Sequence, residues 1–127
     1  MNMTFQDFVT DAKTRIKEIT PDELNIWLNE SREFTLIDVR EESEYAQGKI
    51  AEAVSVPRGV LELKIDAAEP NRDACIVAYC GGGNRSALVA DVMQKMGYTN
   101  VLSLAGGWKN WPFEKTMPTV ATSACSI

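Results

Sequence analysis

At 127 residues, 45% hydrophobic and 24% charged, the chain has room for one globular domain and no second catalytic unit. Thirteen Lys and Arg against eighteen Asp and Glu give a net charge of -5, which argues against nucleic acid or an anionic membrane as partner. Histidine is absent, so His-based acid–base chemistry, Ser–His and Cys–His nucleophile pairs and His-containing metal sites are excluded. The three cysteines, Cys75, Cys80 and Cys125, are too few for a disulfide framework and are spaced like no Cys-only zinc site. No metal or cofactor is therefore expected. The opening residues lack a basic and apolar leader pattern, and no apolar run approaches the ~20 residues that span a bilayer. A soluble, cytoplasmic protein in a reducing compartment is the expectation.

Phe5, Phe8, Val9, Ala12 and Ile16 recur at helical spacing, so residues 4–15 are predicted to form an amphipathic helix capped by Thr4. After an extended segment at 16–19, Thr20-Pro21-Asp22-Glu23 combines an N-cap, a proline in the first turn and an acid three residues on. The helix it starts should run to about Asn29 and present Leu24, Trp27 and Leu28. Residues 34–39 read as a strand, 43–47 as a short helix stopped at Gly48, and 53–56 as a brief strand closed by Pro57. One or two helical turns are expected at 60–65 and a loop at 67–73. Residues 75–79 are apolar on both faces, the pattern of a strand covered on both sides. A long helix at 84–96, a strand at 101–104 and a short helix at 106–111 follow. From Pro112 the composition turns to Pro, Thr, Ser and Ala, which predicts a loose tail over 113–127. Strands alternating with helices indicate an α/β domain with a mostly parallel sheet, here over residues 16–112 with residues 1–15 as a helical extension.

The chemistry concentrates in Cys80-Gly81-Gly82-Gly83-Asn84-Arg85-Ser86, between the buried strand and the long helix. Ligands of open α/β sheets bind beyond the carboxyl ends of the strands. Three glycines let the backbone curl and turn N–H groups inward, and the helix adds its positive end. Such a cradle stabilises an anion. A thiolate placed there is acidified without a histidine base, and Arg85 adds a planar fork of donors suited to an oxyanion. The plainer alternative is a buried core thiol beside an ordinary turn, which explains neither three glycines nor the Arg-Ser pair at a helix start.

This loop resembles the Cys-x-x-Gly-x-Arg-Ser/Thr loop of rhodanese-type sulfurtransferases. The resemblance extends to Leu36-Ile37-Asp38-Val39-Arg40-Glu41 with Glu44-Tyr45, to Gly48-Lys49-Ile50 with Ala53-Val54 and Val56-Pro57, and to Leu104-Ala105-Gly106-Gly107-Trp108 with Trp111. It departs from the family at Lys49, where histidine is usual, and at Ala51-Glu52, where Pro-Gly is usual. The implied fold is a three-layer rhodanese-like domain, a central mostly parallel five-stranded sheet with helices on both faces. The implied chemistry is a persulfide cycle: the Cys80 thiolate takes sulfur from thiosulfate or a persulfide and passes it to a thiol, cyanide or protein acceptor. The amides from Gly81 to Arg85, with Gly82, Gly83 and Asn84 between them, would hold the anionic sulfur, and the Trp108 ring would desolvate them if it lines the mouth.

Other residues carry weaker signals. On the resemblance, Asp38 and Arg40 read as a structural ion pair rather than an acid and a base. Arg58 lies on a loop expected to border the pocket, where it either attracts anionic donors or is a solvated surface arginine. Ser86 either bonds the sulfur-binding loop or simply caps the helix, and Trp108 and Trp111 are expected to pack. Cys75 reads as a structural thiol, and Cys125 as either a thiol without a role or, since the tail is long enough, a mobile thiol able to reach Cys80. The competing readings are a phosphatase or arsenate reductase on the same fold, and a non-catalytic module used for protein binding. Phosphatases of this type space cysteine and arginine by one residue more than the four of Gly81 to Asn84, and non-catalytic modules usually lack the cysteine.

Overall fold

The computed structural model describes residues 2–117. In chain order the elements are α1 (Phe5–Lys13), β1 (Lys17–Ile19), α2 (Pro21–Asn29), β2 (Thr35–Asp38), α3 (Glu42–Ala46), β3 (Val54–Ser55), a 3-10 turn (Arg58–Val60) leading into α4 (Leu61–Ala68), β4 (Ile76–Tyr79), α5 (Asn84–Lys95), β5 (Val101–Leu104) and a second 3-10 turn (Trp108–Asn110). The five strands form one sheet in the order β1-β5-β4-β2-β3, and every pairing is parallel. Parallel neighbours need crossovers, and the helices supply them.

Two local signals act as expected. Thr4 and Thr20 each accept from the backbone N–H three residues on, while Asp7 and Glu23 bond back to the cap N–H, so both helix starts are reciprocal capping boxes. Side chains of β4 alternate between faces. Ile76 and Ala78 join Val39, Leu61, Ile65, Val89, Ala90 and Met93 in one core, under α4 and α5. Val77 and Tyr79 join Leu24, Leu36, Ile50, Leu104 and Trp111 in the other, with Trp27 and Leu28 of α2 packed against it. A central strand buried on both faces is the reason its sequence shows no polar alternation.

The structure departs from the sequence expectations in three places. The apolar stripe of α1 is only half used: Val9 and Ala12 are buried, whereas Phe5 and Phe8 are each 53% exposed. The helix rests on α5, and Arg15 fastens its end there with two 2.9 Å bonds to Asp91. The helix expected at 60–65 runs to Ala68 because Leu61 and Ile65, one turn apart, are both drawn into the core. The chain after Pro112 is tied down as far as it is described. Trp111 Nε1 donates to the Glu114 carbonyl, the Phe113 ring meets Trp111 edge-on at 5.1 Å, and Thr116 pairs antiparallel with Lys49. Composition registers the small polar residues but not this pairing with a segment far upstream. Cys125 lies outside the described residues.

Candidate active site

The site lies at the carboxyl edge of the sheet, where the strand ends are stitched together by backbone bonds. Val39 N–H donates to the Tyr79 carbonyl at 2.9 Å and Arg58 N–H to the Val39 carbonyl at 3.0 Å, linking the ends of β4, β2 and β3. From the other side, Trp108 N–H donates to the Cys80 carbonyl at 2.8 Å and Lys109 N–H to the Gly81 carbonyl at 2.9 Å. This approach requires Gly107, which adopts φ +58 and whose Cβ, if present, would stand 2.5 Å from the Cys80 oxygen. Gly83, at φ +94, starts α5 against the backbone of Gly106. The glycine pair after β5 therefore holds the cysteine loop from behind.

Cys80 Sγ receives the Gly83 N–H at 3.1 Å and the Ser86 N–H at 3.4 Å, and Ser86 Oγ lies 3.5 Å away. Ser86 Oγ in turn shares a 2.8 Å bond with Ser103 Oγ of β5. With a thiolate at Cys80, Ser86 can donate to sulfur while accepting from Ser103. The thiol is only 1% exposed, and burial is the largest single influence, pushing its pKa up. The Ser86 hydroxyl and the N–H groups of Ser86, Gly83 and Gly82 together outweigh it and bring the pKa below that of an ordinary thiol. Burial alone would make Cys80 an inert core thiol. The inward-facing donors are what distinguish it.

Of the expected Gly81–Arg85 amides, Gly83 and Gly82 act on sulfur, joined by Ser86 from the first turn of α5. The amides of Gly81, Asn84 and Arg85 do not reach Sγ. The Arg85 fork, which the sequence assigns to an oxyanion, is engaged by Glu44 of α3: Nη1 donates to Oε1 at 3.0 Å and Nη2 to Oε2 at 3.4 Å. The pairing holds the Glu44 carboxyl below the usual carboxylate range. Arg58 is exposed, and its side chain makes no ion pair among the described residues.

Asp38 and Arg40 form a buried ion pair. Arg40 Nη2 donates to Asp38 Oδ2 at 2.7 Å and to the Gly48 carbonyl at 2.7 Å, and its backbone N–H donates to Asp38 Oδ1 at 2.9 Å. The pair fixes the turn after β2 against the start of the 48–53 segment. The Arg40 guanidinium lies 4.6 Å, and Lys115 Nζ 4.5 Å, from the Trp108 ring centroid, and Gly48 closes on the same ring. Trp108 thus serves the site through its backbone N–H, while its ring is engaged in packing. At the departures from the family pattern, Lys49 Nζ and the Tyr45 hydroxyl both donate to the Ala53 carbonyl, at 3.4 and 2.8 Å. Cys75 is half-buried at the far end of β4, and burial raises its pKa.

Three contributors escaped the sequence reading as site residues: Glu44, Ser103 and Gly107. Glu44 and Gly107 sat inside quoted motifs without an assigned role. Ser103 had a readable signal, a hydroxyl in the otherwise apolar Val101-Leu102-Ser103-Leu104 strand.

The geometry has counterparts among known proteins. The family model described as "Rhodanese-like domain" matches residues 20–113. A sulfurtransferase of Allochromatium vinosum is 31% identical over 96 residues, covering 76% of this chain and 88% of the relative. A Schizosaccharomyces pombe relative, provisionally named a mitochondrial thiosulfate sulfurtransferase, is 34% identical over 87 residues, 60% of this chain and 61% of its own length. Among solved structures, a rhodanese-like domain protein from Staphylococcus aureus aligns with a TM-score of 0.74 at 30% identity, over 82% of this chain and all of that one. A Rhodopseudomonas palustris protein of unknown function, described as a possible tyrosine phosphatase, aligns with a TM-score of 0.78 at 29% identity over 87% and 90% of the two chains.

Proposed function

This chain belongs to the rhodanese-like domain family, and on that premise we propose that it is a sulfurtransferase whose Cys80 carries sulfane sulfur as a persulfide. The observation that supports this reading best is the thiol held by inward-facing N–H groups at the start of α5. In the first half-reaction the Cys80 thiolate attacks the outer sulfur of thiosulfate. A new S–S bond forms, the old one breaks, and its electron pair leaves with sulfite. In the second, a thiolate or cyanide attacks the terminal sulfur and returns Cys80 as thiolate. Splitting one transfer into two displacements is covalent catalysis. The amides of Gly81, Asn84 and Arg85, which make no hydrogen bond to Sγ, are the donors assigned here to the outer sulfur of the persulfide. First-turn N–H groups of a helix lack intrahelical partners, so an anionic sulfur there meets donors already in place.

The described likeness of one structural neighbour to a phosphatase makes phosphoryl transfer the reading to test beside it. Four residues between Cys80 and Arg85 make a ring suited to one sulfur rather than a tetrahedral phosphoryl group, and Glu44 already neutralises the arginine. Intact mass spectrometry after incubation with thiosulfate, and separately with an alkyl persulfide, decides the matter. A gain of about 32 Da, absent in Cys80→Ser, is the expected result for a persulfide carrier. No adduct, with hydrolysis of an aryl phosphate, would replace sulfur transfer by phosphatase chemistry. Neither activity would leave a binding module.

A further inference from the structure

The ion pair of Arg85 and Glu44 joins residues 41 positions apart, from the first turn of α5 and from α3. The guanidinium lies against the cysteine loop: a Cβ on Gly81 would stand 3.3 Å from its Nη2. Neither side chain is buried, Arg85 being 32% and Glu44 39% exposed, so the pair stands where a donor can meet it. The charge of Cys80 and that of Glu41 also act on Arg85. The cation beside the loop is therefore balanced by a carboxylate before any substrate arrives. Its spare N–H donors remain available, but its net attraction for an anion is not.

That balance bears differently on the two classes of sulfur donor. Thiosulfate approaches the Cys80 thiolate with two negative charges and leaves as sulfite, again with two. An alkyl persulfide, R–S–SH, delivers its S–H sulfur to Cys80 and expels one thiolate, RS⁻, with a single charge. Both transfers keep the moving sulfur at the sulfane level, so no oxidant or reductant is consumed. A dianion needs a free cation to overcome repulsion from the thiolate and from Glu44, whereas a persulfide, with one negative charge at most, meets less repulsion and can be held by the loop N–H groups.

We propose that Glu44 sets the charge selectivity of this site: by neutralising Arg85 it disfavours dianionic donors and directs Cys80 toward alkyl or protein persulfides. The inference rests on Cys80 being the sulfur carrier. Glu44 is a positioning residue here, acting through Arg85. Its test compares thiosulfate with the persulfide of 2-mercaptoethanol, which carries one negative charge at most, in Glu44→Gln, which keeps the side-chain size and removes the charge. The ratio of thiosulfate KM to persulfide KM should fall about tenfold, as expected when one charge facing an ionic ligand is lost. The fall should shrink as salt is raised, because the pair is open to screening. Glu44→Asp should stay near the wild-type ratio, and adding Arg85→Ala to Glu44→Gln should cancel the gain. An unchanged or rising ratio, or a gain that survives Arg85→Ala, overturns the proposal. A second readout needs no turnover: sulfate should protect Cys80 from iodoacetamide at about tenfold lower concentration in Glu44→Gln than in wild type. Equal protection in both proteins also overturns it. Should Cys80 gain no sulfur from either donor, the sulfur-carrier reading fails, and the sulfate measurement still decides the charge effect.

Discussion

Cys75 and Cys80 stand at the two ends of β4, roughly 16 Å apart at ~3.3 Å per strand residue, and burial pushes the pKa of both upward. Cys80 is the more deeply buried of the two, yet it is the one whose pKa falls below an ordinary thiol's. The difference is the direction of the backbone. At the carboxyl end the chain turns into α5 through Gly81, Gly82 and Gly83, and N–H groups converge on sulfur. At the amino end the strand enters from the 71–74 turn, and the Cys75 carbonyl is spent on Thr35 N–H. Depth in the core does not by itself decide a thiol's acidity. What counts is which donors face it.

The comparison breaks most visibly in activity. Cys80→Ala should lower thiosulfate:cyanide turnover by roughly a hundredfold or more, since it deletes the proposed nucleophile. Cys75→Ala should stay within about twofold of wild type. Comparable losses in both would remove the distinction between the two ends of the strand.

The next largest effect concerns the support behind Cys80. Gly107→Ala places a methyl 2.5 Å from the Cys80 carbonyl oxygen at φ +58, which should cost about 2–4 kcal/mol in urea denaturation. Gly82 has nothing within 4 Å of where a Cβ would sit, and Gly82→Ala should be neutral or stabilising by up to about 1 kcal/mol. Equal destabilisation by the two changes would mean that loop flexibility, not the Gly107 contact, is what matters.

Ser86→Ala should move the alkylation midpoint of Cys80 to higher pH, because it removes the first-named of the donors that lower it. Ser103→Ala, acting through the Ser86 hydroxyl, should move it the same way by less. The order reversed, or no movement, would show the amides suffice alone.

The smallest effect is on stability against pH. Cys80, with a depressed folded pKa, adds stability that is fully present above the unfolded thiol pKa and is lost as pH falls through its folded value. Cys75, with a raised one, is neutral at no cost below the unfolded pKa, and its contribution is lost as pH rises toward its folded value. Across the ordinary thiol range, around pH 8–9, Cys80→Ser should make stability fall more steeply with rising pH and Cys75→Ser less steeply. Parallel curves for both variants would leave the two thiols electrostatically alike.

The sequence by itself determined the elements and singled out the loop thiol that the proposed mechanism uses. Thr20-Pro21-Asp22-Glu23 encodes a helix start within one turn of chain, the unbroken apolar run before Cys80 encodes a strand covered on both faces, and the triple glycine encodes a loop with inward N–H groups. These are short-range facts, carried by caps, pleats and the missing Cβ of glycine. Only the tertiary structure decided that Phe5 and Phe8 face solvent, that Thr116 pairs with Lys49, that Ser103 backs Ser86, and that Glu44 claims Arg85. Each of these depends on which surface or segment, distant in sequence, the packed sheet brings alongside. No window of neighbouring residues contains that information, because it is fixed by strand order and helix docking, where burial across the whole domain outweighs local preference.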